Sequence, residues 1–240
     1  MGSFEITGLV LDRRNYRDRD LLLSVLTPDR GTLRGVFRGA RGGRSPQAGV
    51  TEILSLVHSQ CYQGPHAELL NFRQMEVEIS SYPLASDLRQ ASAAAVVAEA
   101  LQLFCPPEEP APRRFRLGKA VLGALLDSMD TRSAIVYTQF WLFRLSGLMP
   151  NLKSCSNCGG PFDRGMVLAD FGEACLCRNC DPEGVSLDPG SLELLQIYGK
   201  HPPGPSLPKT TPALASWFDL RIRILVDRPM KALDFFNKSC

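Results

Sequence analysis

Residues 155–180 read CSNCGGPFDRGMVLADFGEACLCRNC, and the reading of the whole chain turns on them. Five of the eight cysteines fall in this stretch. Cys155 and Cys158 form one C-x-x-C pair, Cys177 and Cys180 form a second, and Cys175 lies just before the second pair. A zinc ion takes thiolate donors at the corners of a tetrahedron, about 2.3 Å from the metal. Each C-x-x-C turn supplies two corners, and Gly159 and Gly160 directly after the first pair suit such a turn. Two turns separated by about twenty residues predict a closed four-cysteine site with no open position for a substrate. Cys155, Cys158, Cys177 and Cys180 are therefore the expected ligands of one structural Zn2+. Cys175 could stand in for Cys177, but Cys177 and Cys180 repeat the two-residue spacing and are preferred. The same cysteines could instead be reduced core thiols or a redox pair. The redox reading is the weaker of these, because the first pair follows Pro150 and precedes Gly-Gly-Pro, a turn and not a helix start after a strand. A short, turn-rich segment has little core of its own, so metal binding substitutes for one.

Around this centre the composition is that of an ordinary globular chain. At 240 residues it can hold two domains or one large one. Its net charge of +2 means that any affinity for nucleic acid must come from local patches. No apolar run approaches the roughly eighteen residues that a membrane span needs. The start, MGSFEITGLVLDRR, lacks the basic opening and apolar core of a signal peptide. Clustered thiols without a secretion signal place the chain in a reducing cytosol.

Upstream, residues 1–82 read as β-structure. FEITGLVLD alternates apolar and polar positions, and DLLLSVLTPD, GTLRGVFRGA, GVTEILSLVHSQCY and AELLNFRQMEVEI follow, with turn signals between them. Five short strands without a helical crossover predict a small antiparallel barrel. The OB-fold is the preferred form, with an SH3-like barrel as the alternative.

Arginines are unevenly spread on this barrel. Arg13, Arg14, Arg17 and Arg19 surround the first turn, diluted by Asp12, Asp18 and Asp20. From Arg30 to Arg44 the charge becomes wholly basic, with Arg34, Arg38, Arg41 and Arg44. On a regular strand Arg34 and Arg38 would share a face. Arginine suits bidentate phosphate contact and stacking on bases, and Tyr16 and Phe37 are candidate stacking platforms. Arg14, Arg17, Arg19, Arg34, Arg38, Arg41 and Arg44 are the expected nucleic-acid-binding residues. The competing reading is a solvated face that keeps a barrel dissolved. No GxxxxGK[ST] phosphate loop occurs.

From about Ser86 the pattern becomes helical. SDLRQASAAAVVAEALQLF is alanine-rich, with Ser86 or Asp87 as its cap. Pro106, Pro107, Pro110 and Pro112 predict a stiff linker, followed by helices over residues 113–128 and 131–148. The second of these carries Ile135, Val136, Phe140, Trp141 and Phe143, apolar on most faces, and is read as core, with a ligand pocket as the alternative for the aromatics. Beyond the cysteines, helices are expected over 186–198 and 213–226, separated by the proline-rich HPPGPSLPKTTP. Arg221, Arg223 and Arg228 cluster near the end of the last helix, before the apolar tail RPMKALDFF. The expected domains are a barrel at 1–82, a helical domain at 83–150 and 185–240, and a four-cysteine zinc module at 151–184. The fold class is α+β, multidomain. His58, His66 and His201 lack ligand spacing, and no GxSxG, HExxH or dinucleotide fingerprint is present, so no catalytic constellation is expected.

Three blocks together resemble the RecO family of bacterial DNA repair proteins. They are GLVLDRRNYRDRDLLLSVLTPDRGTLRGVFRGARGGRS at 8–45, FWLFRLSGLMPNLKSCSNCGG at 140–160 and RIRILVDRPMKALDFF at 221–236. The resemblance implies an N-terminal OB-fold, a helical domain and a four-cysteine zinc module. It also implies binding of single- and double-stranded DNA and annealing of complementary strands. The implied partners are RecR and single-stranded DNA-binding protein, with a functional link to RecA, which is loaded on coated single strands. Such a protein would be cytoplasmic, nucleoid-associated when bound to DNA, and not an enzyme. The acidic, apolar tail of the single-stranded DNA-binding protein is expected near Arg221, Arg223 and the Phe-Phe tail. A protein-only zinc adaptor and a zinc or thiol enzyme are the competing classes.

Overall fold

In the computed structural model, residues 2–40, 48–65, 67–163, 165–169, 174–183, 186–187, 189–226 and 229–240 are described. The first five strands are β1 (Ser3–Tyr16), β2 (Asp20–Thr27), β3 (Gly31–Phe37), β4 (Leu56–Tyr62) and β5 (Leu70–Ile79). They close into a barrel in the order β1-β2-β3-β5-β4. Closure depends on the length of β1. Its first half pairs with β4 and its second half with β2, and the register slips between Val10 and Asp12. A slip of this kind bends a strand and lets it serve two neighbours. The remaining seam is the short parallel pairing of β3 with β5, from Gly35–Leu70 to Phe37–Phe72. This strand order, with β1 shared and β3 parallel to β5, is the OB arrangement and not the SH3-like alternative.

Strand alternation gives the barrel two apolar surfaces. Ile6, Val10, Leu23, Val25, Val57 and Phe72 fill the interior. Leu9, Leu11, Leu26 and Leu56 point the other way and belong to the core of the helices. One outer side of the barrel is thus covered by the helical domain. Two glycines allow the approach. A Cβ on Gly118 would lie 2.6 Å from a Leu9 methyl and 2.8 Å from one of Leu101. Gly31 has φ +63°, and its Cβ would lie 2.4 Å from the Glu109 carbonyl oxygen. Beside it, the Thr32 hydroxyl donates to the Cys105 carbonyl at 2.6 Å, and the Ala111 amide donates to the Pro28 carbonyl at 3.0 Å.

The helices are α1 (Leu88–Phe104), α2 (Pro112–Leu126), α3 (Thr131–Leu145), α4 (Pro189–Tyr198), α5 (Pro212–Leu225) and α6 (Lys231–Ser239). Asp87, not Ser86, caps α1, accepting from the Gln90 amide at 2.9 Å. Small residues let α1 lie at the centre, where Ala93, Val97, Ala98 and Leu101 are all buried. The expected aromatic core is there: Phe143 of α3 meets Phe104 at 5.6 Å and Phe218 at 6.0 Å between ring centres. A polar knot ties α3, α5 and α6, with Arg132, Gln139 and Asn237 all donating to the buried Asp219 carboxylate.

Four local expectations shift. Pro112 and Pro212 begin helices instead of ending linkers, because the first helical position needs no amide hydrogen. The third helix stops at Leu145. Ser186 and Leu187 are strand β8, paired with Val167 and Met166, and the helix expected from 186 starts at Pro189. The tail is helix α6, whose first amides at Lys231 and Ala232 donate to Glu99 of α1 at 2.9 and 3.0 Å.

Candidate metal centre and nucleic-acid surface

The cysteine module is built on a three-stranded sheet, β6 (Met166–Ala169) between β7 (Ala174–Cys177) and β8. Its first knuckle is closed by the Gly159 amide donating to the Cys155 carbonyl at 2.9 Å, with Gly159 at φ +71°. The Cys155 amide donates to the Gly160 carbonyl at 2.8 Å. The second knuckle turns at the end of β7, where the amides of Cys180 and Asp181 both donate to the Cys177 carbonyl. The Ser156 amide donates to the Cys175 carbonyl at 2.8 Å and joins the two halves.

This frame brings the sulfurs of Cys155, Cys158, Cys177 and Cys180 within 4.8 Å of one another. Cys175 is not in the group; its thiol is fully buried in the helical core, and burial pushes it up to about 12. Within the cluster the sulfurs compete for protons. Cys158 and Cys177 push Cys180 up to about 12, whereas backbone amides, that of Cys158 first, lower Cys155 to about 6. Four converging sulfurs are a donor set suited to a cation. The cluster could hold a metal ion.

The arginines gather on the barrel. Pairing of Leu21 with Phe37 sets the turn after β1 beside the turn after β3. The Gly39 amide donates to the Asp20 carboxylate at 2.9 Å and pins the two turns together. Arg17, Arg19 and Arg38 are therefore exposed on one rim. Arg17 is held at φ 55° and lies 5.3 Å from the Tyr16 ring. Arg34 is exposed further along β3, opposite Ser24. Arg38 lies past the end of β3, so it shares the rim with Arg17 and Arg19 through the turn and not through strand alternation. Arg14 pairs with Asp12 at 2.8 Å but stays largely exposed. Arg41, Arg44, His66 and Arg228 lie outside the described residues. Phe37 is not a stacking platform: β3 turns it into the barrel, where it is buried.

Two arginine–aromatic stacks escape a reading of the sequence, Arg30 over Phe4 at 4.4 Å and Arg73 over Tyr62 at 5.1 Å. Neither pair is close in sequence, so only strand pairing could reveal them. On the helical side, Arg221 is buried, donates to the Leu148 carbonyl at 2.6 Å and sits over the rings of Phe143 and Trp217. It borders a groove of about 390 Å³ with Leu148, Ile224 and Leu225. Arg223 pairs with Asp234 at 2.6 Å. A second groove of about 340 Å³, floored by Tyr137, Trp141, Leu145 and Pro202, is edged by Arg113 and Arg116. Among the described residues no helix is long and apolar enough to cross a membrane.

An OB barrel with an arginine rim, joined to a helical unit that carries a four-cysteine cluster able to hold a metal ion, defines a modular α+β protein. The family model for the Recombination protein O N terminal matches residues 1–80, and that for the Recombination protein O C terminal matches residues 85–203. The boundary between them falls between β5 and α1. The DNA repair protein RecO of Anaeromyxobacter dehalogenans (strain 2CP-C) is 31% identical over 183 residues, covering 76% of this chain and 72% of the relative. The protein of the same name from Pelobacter propionicus is 30% identical over 187 residues, covering 75% and 73%. That from Symbiobacterium thermophilum is 28% identical over 204 residues, covering 82% and 79%. The chain belongs to the RecO family of DNA repair proteins.

Proposed function

We propose that this chain is a non-catalytic recombination mediator of the bacterial cytoplasm that binds single- and double-stranded DNA and anneals complementary strands. With RecR it helps load RecA on single strands coated by single-stranded DNA-binding protein. The observation that carries the proposal is the rim of Arg17, Arg19 and Arg38 with Arg34 beside it, on a barrel whose fold type binds oligonucleotides. Arginines at this rim neutralise phosphates and release counterions, an interaction that ignores sequence and weakens with salt. Two strands held on one surface meet at a raised effective concentration, so annealing speeds up with no covalent step.

The ion in the four-cysteine cluster is Zn2+ on this reading, since an all-thiolate tetrahedral set suits it. Bound there, it supplies a cross-link between the two knuckles and no chemistry on DNA. The tail of the single-stranded DNA-binding protein docks on the helical domain, at the groove beside Arg221 and Arg223. The rival position is the groove edged by Arg113 and Arg116, which make no ion pair among the described residues. Paired alanine variants at each position, titrated with the tail peptide, separate the two.

The deciding experiment is fluorescence anisotropy of labelled single strands across a salt series. Replacing Arg17, Arg19, Arg34 and Arg38 together by alanine should flatten the salt slope by about 3, close to 0.7 for each phosphate no longer neutralised. Tight binding unaffected by these changes would move the DNA site off the barrel. No binding by the unaltered chain would favour a protein-only adaptor.

A further inference from the structure

The four thiols of the cluster are not equivalent towards solvent. Cys155 and Cys177 are 3% and 7% exposed, whereas Cys158 is exposed and Cys180 half-buried. The asymmetry follows from the chain path. Cys177 is still in β7, paired with Met166 in the sheet, and Cys155 lies under its own knuckle against the helical core. The second cysteine of each pair is the one the turn throws outward. Elsewhere Cys61, Cys105 and Cys175 are buried, and Cys240 at the C-terminal end of α6 is half-buried. Only three of the eight cysteines therefore meet solvent, and two of those three lie within 4.8 Å of each other in one cluster.

We propose that Cys158 and Cys180 are an oxidation site on the outer edge of the four-cysteine centre, where a hydroperoxide joins them in a disulfide before Cys155 or Cys177 reacts. The Cys158 sulfur attacks one peroxide oxygen, the O–O bond breaks, and the products are a sulfenic acid and hydroxide. Cys180 then attacks the Cys158 sulfur, forms the S–S bond and expels its hydroxyl, and the two thiol protons end on the two hydroxides as water. The two sulfurs have lost two electrons, and the peroxide has accepted them. Access by a dissolved peroxide decides which sulfur of the cluster reacts first, and Cys158 is the exposed one.

Closing the bond draws two sulfurs from within 4.8 Å to about 2.0 Å. Both belong to short turns and neither to the sheet interior, so the movement is local. A disulfide sulfur no longer carries the negative charge that a cation requires, so two of the four donors are lost at once. On the zinc reading given above, the ion is released as the disulfide forms. The module would thereby lose its cross-link under oxidising stress while the barrel, which has no exposed thiol among its described residues, keeps its structure.

The test uses the full chain carrying Cys240→Ser, which removes the one accessible thiol outside the cluster. Elemental analysis of the purified protein comes first and judges the zinc reading separately. The protein is then treated with hydrogen peroxide, quenched at intervals and mapped by differential alkylation. Cys158 and Cys180 should lose free thiol on the order of tenfold faster than Cys155 and Cys177, as one intrachain disulfide. Where zinc was present, one ion should reach a chromogenic chelator for each disulfide formed. Equal rates at all four cysteines would overturn the proposal. So would a first disulfide within either C-x-x-C pair, or earlier oxidation of Cys175. The alkylation order decides the matter even for a preparation that holds no metal.

Discussion

The barrel and the cysteine module are both small β-structures, and they are built differently. The barrel closes its hydrogen-bond ladder upon itself and fills the interior with Ile6, Val10, Leu23, Val25 and Phe72. It is complete without any ion. The module has strands of four, four and two residues in an open sheet. Phe162, Met166 and Leu187 of the module are part of the helical core, and four sulfurs converge at its knuckle end. A sheet this short is marginal without outside support. On the zinc reading proposed above, one β-unit is stabilised by burying area and the other by coordinating a cation, and the two should fail under different insults.

The sharpest way to break that contrast is to remove the metal. With zinc bound as proposed, chelation or Cys155→Ser removes on the order of 10 kcal/mol of binding free energy from the module. Hydrogen exchange should then speed up across β6 and β7 while the strands of the barrel stay protected. Equal loss in both units, or in neither, would end the comparison. The complementary insult is Leu23→Ala, a fully buried side chain inside the barrel. A loss of about 2–5 kcal/mol should appear in the urea midpoint, with the metal content of the folded fraction unchanged.

The junction between barrel and helices comes next. Gly31→Ala puts a side chain at φ +63° and against the Glu109 carbonyl oxygen, which should cost about 2 kcal/mol. A thermal melt no different from that of the unaltered chain would mean that the barrel is not locked to the linker as described. The smallest effect expected is from Asp87→Ala, which removes the cap of α1 and should cost about 1 kcal/mol by denaturant titration. Because α1 serves the helical core and not the module, metal content should not change.

Much of this is legible without any coordinates. The alternation of FEITGLVLD and the four runs after it announces five strands, and the paired C-x-x-C turns announce a four-sulfur cluster. The errors have physical causes. Leu187 reads as helical because apolar spacing near a helix start does not distinguish a two-residue strand, and only Met166 across the sheet decides it. Helix α6 reads as an apolar tail because its cap, Glu99, is 132 positions away. Phe37 resembles a stacking platform because its strand is basic, yet alternation turns it inward. Arg221 passes for a surface cation beside Arg223 until packing places it against Phe143 and Trp217.

What the sequence determined by itself is local and chemical. Strand and helix periods follow from alternating and 3.6-residue burial, and the knuckles from cysteine spacing. The tertiary structure decided which of these local features meet. The Gly39–Asp20 hydrogen bond gathers Arg17, Arg19 and Arg38 on one rim. The tertiary structure gathers Cys177 and not Cys175 with Cys155, Cys158 and Cys180, and leaves Cys158 and Cys180 the more exposed members of the cluster. Such juxtapositions depend on contacts between residues far apart in the chain. Their free energy belongs to the packed core as a whole and leaves no signal in any short window of sequence.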